Sequence, residues 1–153
     1  MAINSNNIYA VARDAAGFKQ VAASMRLGVS VETLCAYENG KRIPAPDVVD
    51  RMVTVYHADY LAIQYIREVS QTARRLVPAV EPTGLLPAAV RLYNALREME
   101  SKHRLDQLMS IVADGKITAE EQPVMDEIMD SLRELQSSTL EWSVICAGGD
   151  QHD

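Results

Sequence analysis

Several side chains in residues 17–44 are suited to gripping a nucleic-acid backbone. Gln20 offers an amide donor beside the cation Lys19, Ser30 offers a hydroxyl, and Asn39, Lys41 and Arg42 bring an amide and two cations into four residues. Helix-start amides, polar side chains and cations are the groups that hold phosphate oxygens. Between them, Val31, Glu32, Thr33 and Ala36 would face outward once the apolar positions are packed. Glu32 can accept from a cytosine amino group, Val31 can touch a thymine methyl, and Thr33 serves either polarity; none supplies the bidentate donor that reads guanine or adenine. Taken singly, each residue has a plainer use. Ser30 is a helix cap, Glu38-Asn39-Gly40 a helix stop, and Lys41 and Arg42 are solvated charges. Only their joint register raises the binding reading above these.

Other chemistries find little support. His57, His103 and His152 show no ligand spacing, and His103 reads as a core or boundary histidine on an apolar face. Cys35 and Cys146 form no C-x-x-C and are read as reduced thiols of a cytoplasmic protein. No P-loop, G-x-G-x-x-G or nucleophile motif is present. No catalytic, metal or cofactor site is therefore expected. Residues 114–121 resemble the closing half of a calcium loop, but the opening positions are Ser110 and Val112, and valine has no oxygen to ligate with. Thr118 and Glu121 read instead as a capping box. The first seven residues do not look like a secretory leader, and no apolar run nears the roughly 18 residues of a membrane span.

The net charge of −6 is a mild argument against nucleic acid, but its distribution matters. Residues 1–70 hold seven Lys/Arg and seven Asp/Glu, and the remaining eight basic and fourteen acidic residues follow. The first half can meet DNA if its cations lie on one face; the acidic second half is a poor candidate.

Helices must position these groups. Periodicity and punctuation predict helices over about 6–16, 19–25, 31–38, 47–57 and 60–76. The third is capped by Ser30 and stopped by Asn39-Gly40, both of which tolerate left-handed backbone. The fifth is expected to bury Leu61, Tyr65, Val69, Ala73 and Leu76. Leu27, Val29, Leu34 and Tyr37 would pack the second helix on the third, which together make a helix-turn-helix unit. Pro78, Pro82, Gly84 and Pro87 make 77–87 the best linker. A helix over 88–113 follows, then a turn at 114–117 and a last helix from Thr118 to about Cys146, with a frayed polar tail. Met125, Ile128, Leu132, Leu135, Thr139, Trp142 and Cys146 repeat at three-four spacing, a seam for a bundle core or a dimer.

The run Gly-Phe-Lys-Gln, Leu-Gly-Val-Ser and Glu-Asn-Gly-Lys-Arg-Ile-Pro over residues 17–44 resembles the lambda-repressor-like (Cro/Xre) family of helix-turn-helix regulators, without gaps, and the likeness extends over about 8–61. It implies a five-helix domain whose third helix enters the major groove. It places Lys19 and Gln20 at a phosphate-contacting helix start, with Ser30 at the recognition-helix cap. Val31, Glu32, Thr33 and Ala36 fall on the base-facing side, and Asn39, Lys41 and Arg42 in the turn beside the backbone. Ala23 departs from the family's usual Leu. The expectation is an all-α protein with three parts: a DNA-binding domain over 1–76, a linker over 77–87, and a helical hairpin or bundle over 88–153. That last part would serve a homodimer through Met125, Ile128, Leu132, Leu135 and Trp142, or a second regulatory protein. The resemblance implies a prokaryotic transcriptional repressor of a phage or other mobile element, acting on double-stranded DNA. The alternative is an interaction or anti-repressor protein that keeps a degenerate helix-turn-helix as scaffold.

Overall fold

A computed structural model describes residues 7–81 and 83–149. Among the described residues there are nine α-helices, one 3-10 turn and no strand. The described residues form two compact units, one of residues 7–79 together with 147–149, the other within Val80–Cys146. No helix among the described residues is long and apolar enough to cross a membrane.

In the first unit, α1 (Ile8–Ala15) begins where the Asn7 side chain accepts the amides of Tyr9 and Ala10. The expected start, Asn6, lies outside the described residues. Helix α2 (Gln20–Leu27) ends at Gly28, whose φ of 67° suits glycine. Helix α3 (Val31–Glu38) starts where Ser30 Oγ accepts the Thr33 amide at 3.1 Å. Its stop differs from expectation in one detail: Gly40 alone turns left-handed, while Asn39 stays at φ −92°. Helix α4 (Pro46–Tyr56) opens one residue earlier than expected, with Pro46 in the first turn, where its missing N–H costs nothing, and Asp47 beside it.

The predicted 60–76 helix is two helices, α5 (Tyr60–Val69) and α6 (Gln71–Leu76). Ser70 is extended at φ −130°, and its hydroxyl caps α6 by accepting the Ala73 amide at 3.1 Å. The apolar stripe breaks there too. Leu61 is fully buried and Tyr65 and Ala73 half-buried, but Val69 and Leu76 are exposed. The core of this unit is Tyr9, Ala12, Ala23, Leu27, Leu34, Tyr37, Val49, Met52, Tyr56 and Leu61. Val29 is half-buried.

In the second unit the expected 88–113 helix is also broken, into α7 (Leu85–Ser101) and α8 (Arg104–Ile111), followed by a 3-10 turn (Val112–Asp114). His103 sits at the break in left-handed backbone, φ 50°, and its side chain is 77 % exposed. It is a surface hinge residue rather than a core histidine. Helix α7 begins inside the expected linker, with Pro87 in its first turn. Helix α9 (Gln122–Gly149) follows the capping box read from sequence. Glu121 N–H donates to Thr118 Oγ1 at 3.3 Å, and Thr118 N–H donates to the Glu121 carboxylate at 2.9 Å.

Helix α9 runs antiparallel to α7, and the first residue of α8 meets it further back. Arg91 pairs with Glu141, Ser131 Oγ lies 3.5 Å from the Glu98 carboxylate, and Arg104 donates to Glu127 at 2.8 Å, each step forward on one side meeting a step back on α9. Of the expected seam, Ile128 is fully buried within its own unit, Met125, Leu132, Leu135 and Trp142 are half-buried, and Thr139 and Cys146 are exposed. The face that is buried also carries Ser131, Ser138 and Glu141.

Candidate nucleic-acid interface

The site is built on α2, the Gly28 turn and α3. Leu27, Leu34 and Tyr37 are buried and hold the two helices against the core. That leaves Glu32 exposed on α3, with Val31, Thr33 and Ala36 half-exposed around it. The Glu32 carboxylate is held below the usual carboxylate range by its own backbone hydrogen bond and by the Ser30 hydroxyl, so it is ionised at neutral pH. The outward face of α3 therefore offers one anion among small or apolar groups. Thr33 Oγ1 accepts from the Ser30 hydroxyl at 3.0 Å and shares the capping arrangement.

The turn after α3 is folded back on the helix end. Lys41 and Arg42 both direct their amides to the Ala36 carbonyl, at 2.9 and 3.2 Å. Asn39 donates to the Cys35 carbonyl at 2.8 Å, which commits that amide to closing the helix. The Arg42 guanidinium lies over the Tyr37 ring at 5.9 Å. Lys19, at the start of α2, and Lys41 are exposed and carry no ion pair among the described residues. The structure thus puts Lys41 and Arg42 together at the C-terminal end of α3, and Lys19 and Gln20 at the opening of α2.

Sequence reading missed what lies beneath. Arg13 and Glu38 form a buried bidentate pair, Nε to Oε1 at 2.6 Å and Nη2 to Oε2 at 3.0 Å, at 5 % and 1 % exposure. Arg13 also donates to the Phe18 carbonyl at 2.6 Å and contacts the Asp14 carboxylate. The hydrogen bond to Glu38 holds the guanidinium's pKa up against burial. Gln20 Nε2 donates to the same carboxylate at 2.8 Å. Glu38 therefore ties α1, the start of α2 and the end of α3 to one another. Tyr56, packed on Phe18 with ring centroids 6.1 Å apart, has its ionisation pushed well up by burial first and then by the charge of Glu38. The signal was present but undervalued. Arg13 falls on the Tyr9–Ala12–Ala16 stripe and Glu38 one turn beyond Leu34, so each is a charge on an apolar face.

Two further cations close the frame. Arg26 lies over the Phe18 ring at 4.9 Å. Arg51 donates to the Leu27 carbonyl at 3.0 Å, covering the end of α2, and pairs with Asp47 at 3.0 Å.

The helix-turn-helix domain family model matches residues 10–61, a span that runs from α1 to the start of α5. Residues 10–61 are a helix-turn-helix domain of the Cro/Xre-like type. Compared with curated proteins and with solved structures, the chain finds no match. In this helix-turn-helix domain Gln20 has a structural bond to lose. Gln20→Ala is expected to lower the stability of the DNA-free protein by about 1–3 kcal/mol, because Glu38 loses a charge-assisted hydrogen bond. Urea denaturation checks this; an unchanged midpoint would mean that the Gln20–Glu38 bond adds nothing to the stability of the fold.

Proposed function

We propose that this protein is a sequence-specific transcriptional regulator, a repressor that binds double-stranded DNA as a homodimer. The observation that carries the reading is the helix-turn-helix domain itself, presenting α3 with Lys41 and Arg42 at its C-terminal end and, beside that same end, the α2 start with Lys19 and Gln20, tied there by Glu38. Charge supports it. Residues 1–79 hold nine Lys/Arg against seven Asp/Glu, whereas 80–146 hold six against twelve. Phosphate contact then falls to the first unit, and the acidic second unit serves association with a second copy or with another regulatory protein. Ser30, Lys19, Gln20, Asn39, Lys41 and Arg42 are assigned to the backbone, and Val31, Glu32, Thr33 and Ala36 to base edges. The protein has no catalytic role in this reading and works in the cytoplasm of a prokaryotic cell.

One observation favours a second reading. The outward face of α3 carries an ionised carboxylate and no bidentate donor, which suits an interaction or anti-repressor protein whose helix-turn-helix is scaffold. Selection from a random duplex pool at about 100 mM salt, where exposed charges are partly screened, separates the two. Enrichment of a palindrome with half-sites about one helical turn apart supports the regulator. Weak binding without enrichment transfers the assignment to the interaction protein.

A further inference from the structure

The second unit buries Met99, Ile111 and Ile128 but leaves another set of large apolar side chains outside. Ala88 and Ala95 fill two of the buried positions of α7, whereas Tyr93 and Leu96 on the same helix and Leu105 and Met109 on α8 are all more than half exposed. An obligate homodimer interface resembles a domain core cut in two, and this unit has the look of one half.

Along the α7–α9 seam lies an apolar groove of about 460 Å3. Leu96 and Met99 of α7 meet Leu132 and Leu135 of α9 there, with Leu105 of α8 at its side and Glu100 and Asp106 as its charged members. One helical turn beyond Leu105, Met109 stands 67 % exposed. Knob and hole therefore share one surface. A two-fold interface brings the same patch of two copies together, so that each residue i meets j and each j meets i. A patch with a knob beside a hole satisfies that requirement with itself. Its charges are mixed as well: Arg97, held over the Tyr93 ring at 5.9 Å, sets a cation on the same helix as Glu100. At 59 % exposure Tyr93 brings on the order of 100 Å2, and with Leu96, Leu105 and Met109 it supplies the apolar centre of the about 800 Å2 that each partner of a specific pair covers.

We propose that two copies of this chain associate through the α7–α8–α9 groove, with Leu105 and Met109 of each copy seated against the Leu96, Met99, Leu132 and Leu135 surface of the other. The proposal rests on the two-copy reading above and relocates its contact. Ile128 is spent inside its own unit, and Leu132 and Leu135 act as groove rather than as zipper.

Sedimentation velocity on the full chain across a concentration series tests it, with wild type, Leu105→Asp, Met109→Asp and, as a control outside the patch, Ile117→Asp. The wild type and Ile117→Asp are expected to be dimers. Leu105→Asp and Met109→Asp are expected to weaken association by about 100-fold or more, as loss of central interface anchors does, with unchanged helical circular dichroism. Should Leu105→Asp lose helix signal, Met109→Asp carries the test from its more exposed position. Dimeric wild type with dimeric Leu105→Asp and Met109→Asp variants overturns the groove and leaves the dimer standing, as does dissociation of Ile117→Asp to the same extent. A monomeric wild type overturns groove and dimer together, while the duplex selection still judges DNA binding by itself.

Discussion

Replacing Arg13 with Met is expected to strip the helix-turn-helix domain of much of its stability. The substitution keeps an unbranched apolar stem, shorter than arginine, and leaves the Glu38 carboxylate, 1 % exposed, with the Gln20 amide as its remaining side-chain partner among the described residues. Removing one member of a buried ion pair costs about 3–5 kcal/mol, because an uncompensated charge stays in a medium that cannot solvate it. A domain holds only about 5–15 kcal/mol in total, so the loss takes much of the margin. The Phe18 carbonyl loses its donor at the same time. The double variant Arg13→Met with Glu38→Leu should recover most of the loss, since two apolar groups of similar volume are often as stable as the pair they replace. Native-state amide exchange in α1–α4 is the appropriate measure, because the chain's single tryptophan, Trp142, lies in the other unit. A cost under about 1 kcal/mol for the single variant would show that the pair is solvated and does not hold the three helices together.

What was legible in the sequence was whatever is decided locally. The bounds of α3 follow from Ser30 and Gly40, whose cap and left-handed turn involve neighbours within four residues. The Thr118–Glu121 capping box is local in the same way. The breaks at Ser70 and His103 were not legible, because apolar spacing runs on through both. Periodicity records which residues could share a face and says nothing about whether the backbone continues. At Ser70 a cap signal was available, a serine three residues before the amide it accepts, but the stripe from Leu61 to Leu76 outweighed it. At His103 the left-handed backbone belongs to a histidine, which adopts it more often than most residues but far less readily than glycine, so the signal was faint. The site divides along the same line. Which residues sit at the ends of α2 and α3 could be read from motif register. That Gln20 bonds Glu38 could not, since the contact joins positions 18 apart and its anchor, Arg13, is 25 from Glu38. The second unit was legible as helical, but which side of α9 faces its own chain was not. Ile128, Ser131 and Ser138 turn inward as a set that mixes apolar and polar residues, and a hydrophobic pattern alone selects the wrong neighbours.

Charge reversal of the pair Lys41→Glu and Arg42→Glu is expected to weaken binding to every DNA sequence alike, by on the order of 100-fold at about 100 mM salt, and to reduce the dependence of log affinity on log salt by about two. Both side chains follow the Ala36 carbonyl turn at the end of α3, and neither is needed to hold it, because the turn is made by their amides. The folded state therefore survives the change, and the loss reads on DNA alone. Arg42 gives up its place over Tyr37, an exposed contact of about 0.5–1 kcal/mol, too small to mimic a DNA defect. Thr33 behaves oppositely. It lies on the α3 face beside Glu32, so substitution there shifts preference among sequences while leaving the salt slope in place. The two outcomes distinguish a backbone contact from a base contact without a structure of the complex. Equal affinities for wild type and the double reversal, in titrations at two or more salt concentrations, would remove the α3 end from the interface. The acidic face around Glu32 would then be the better account of what this helix meets.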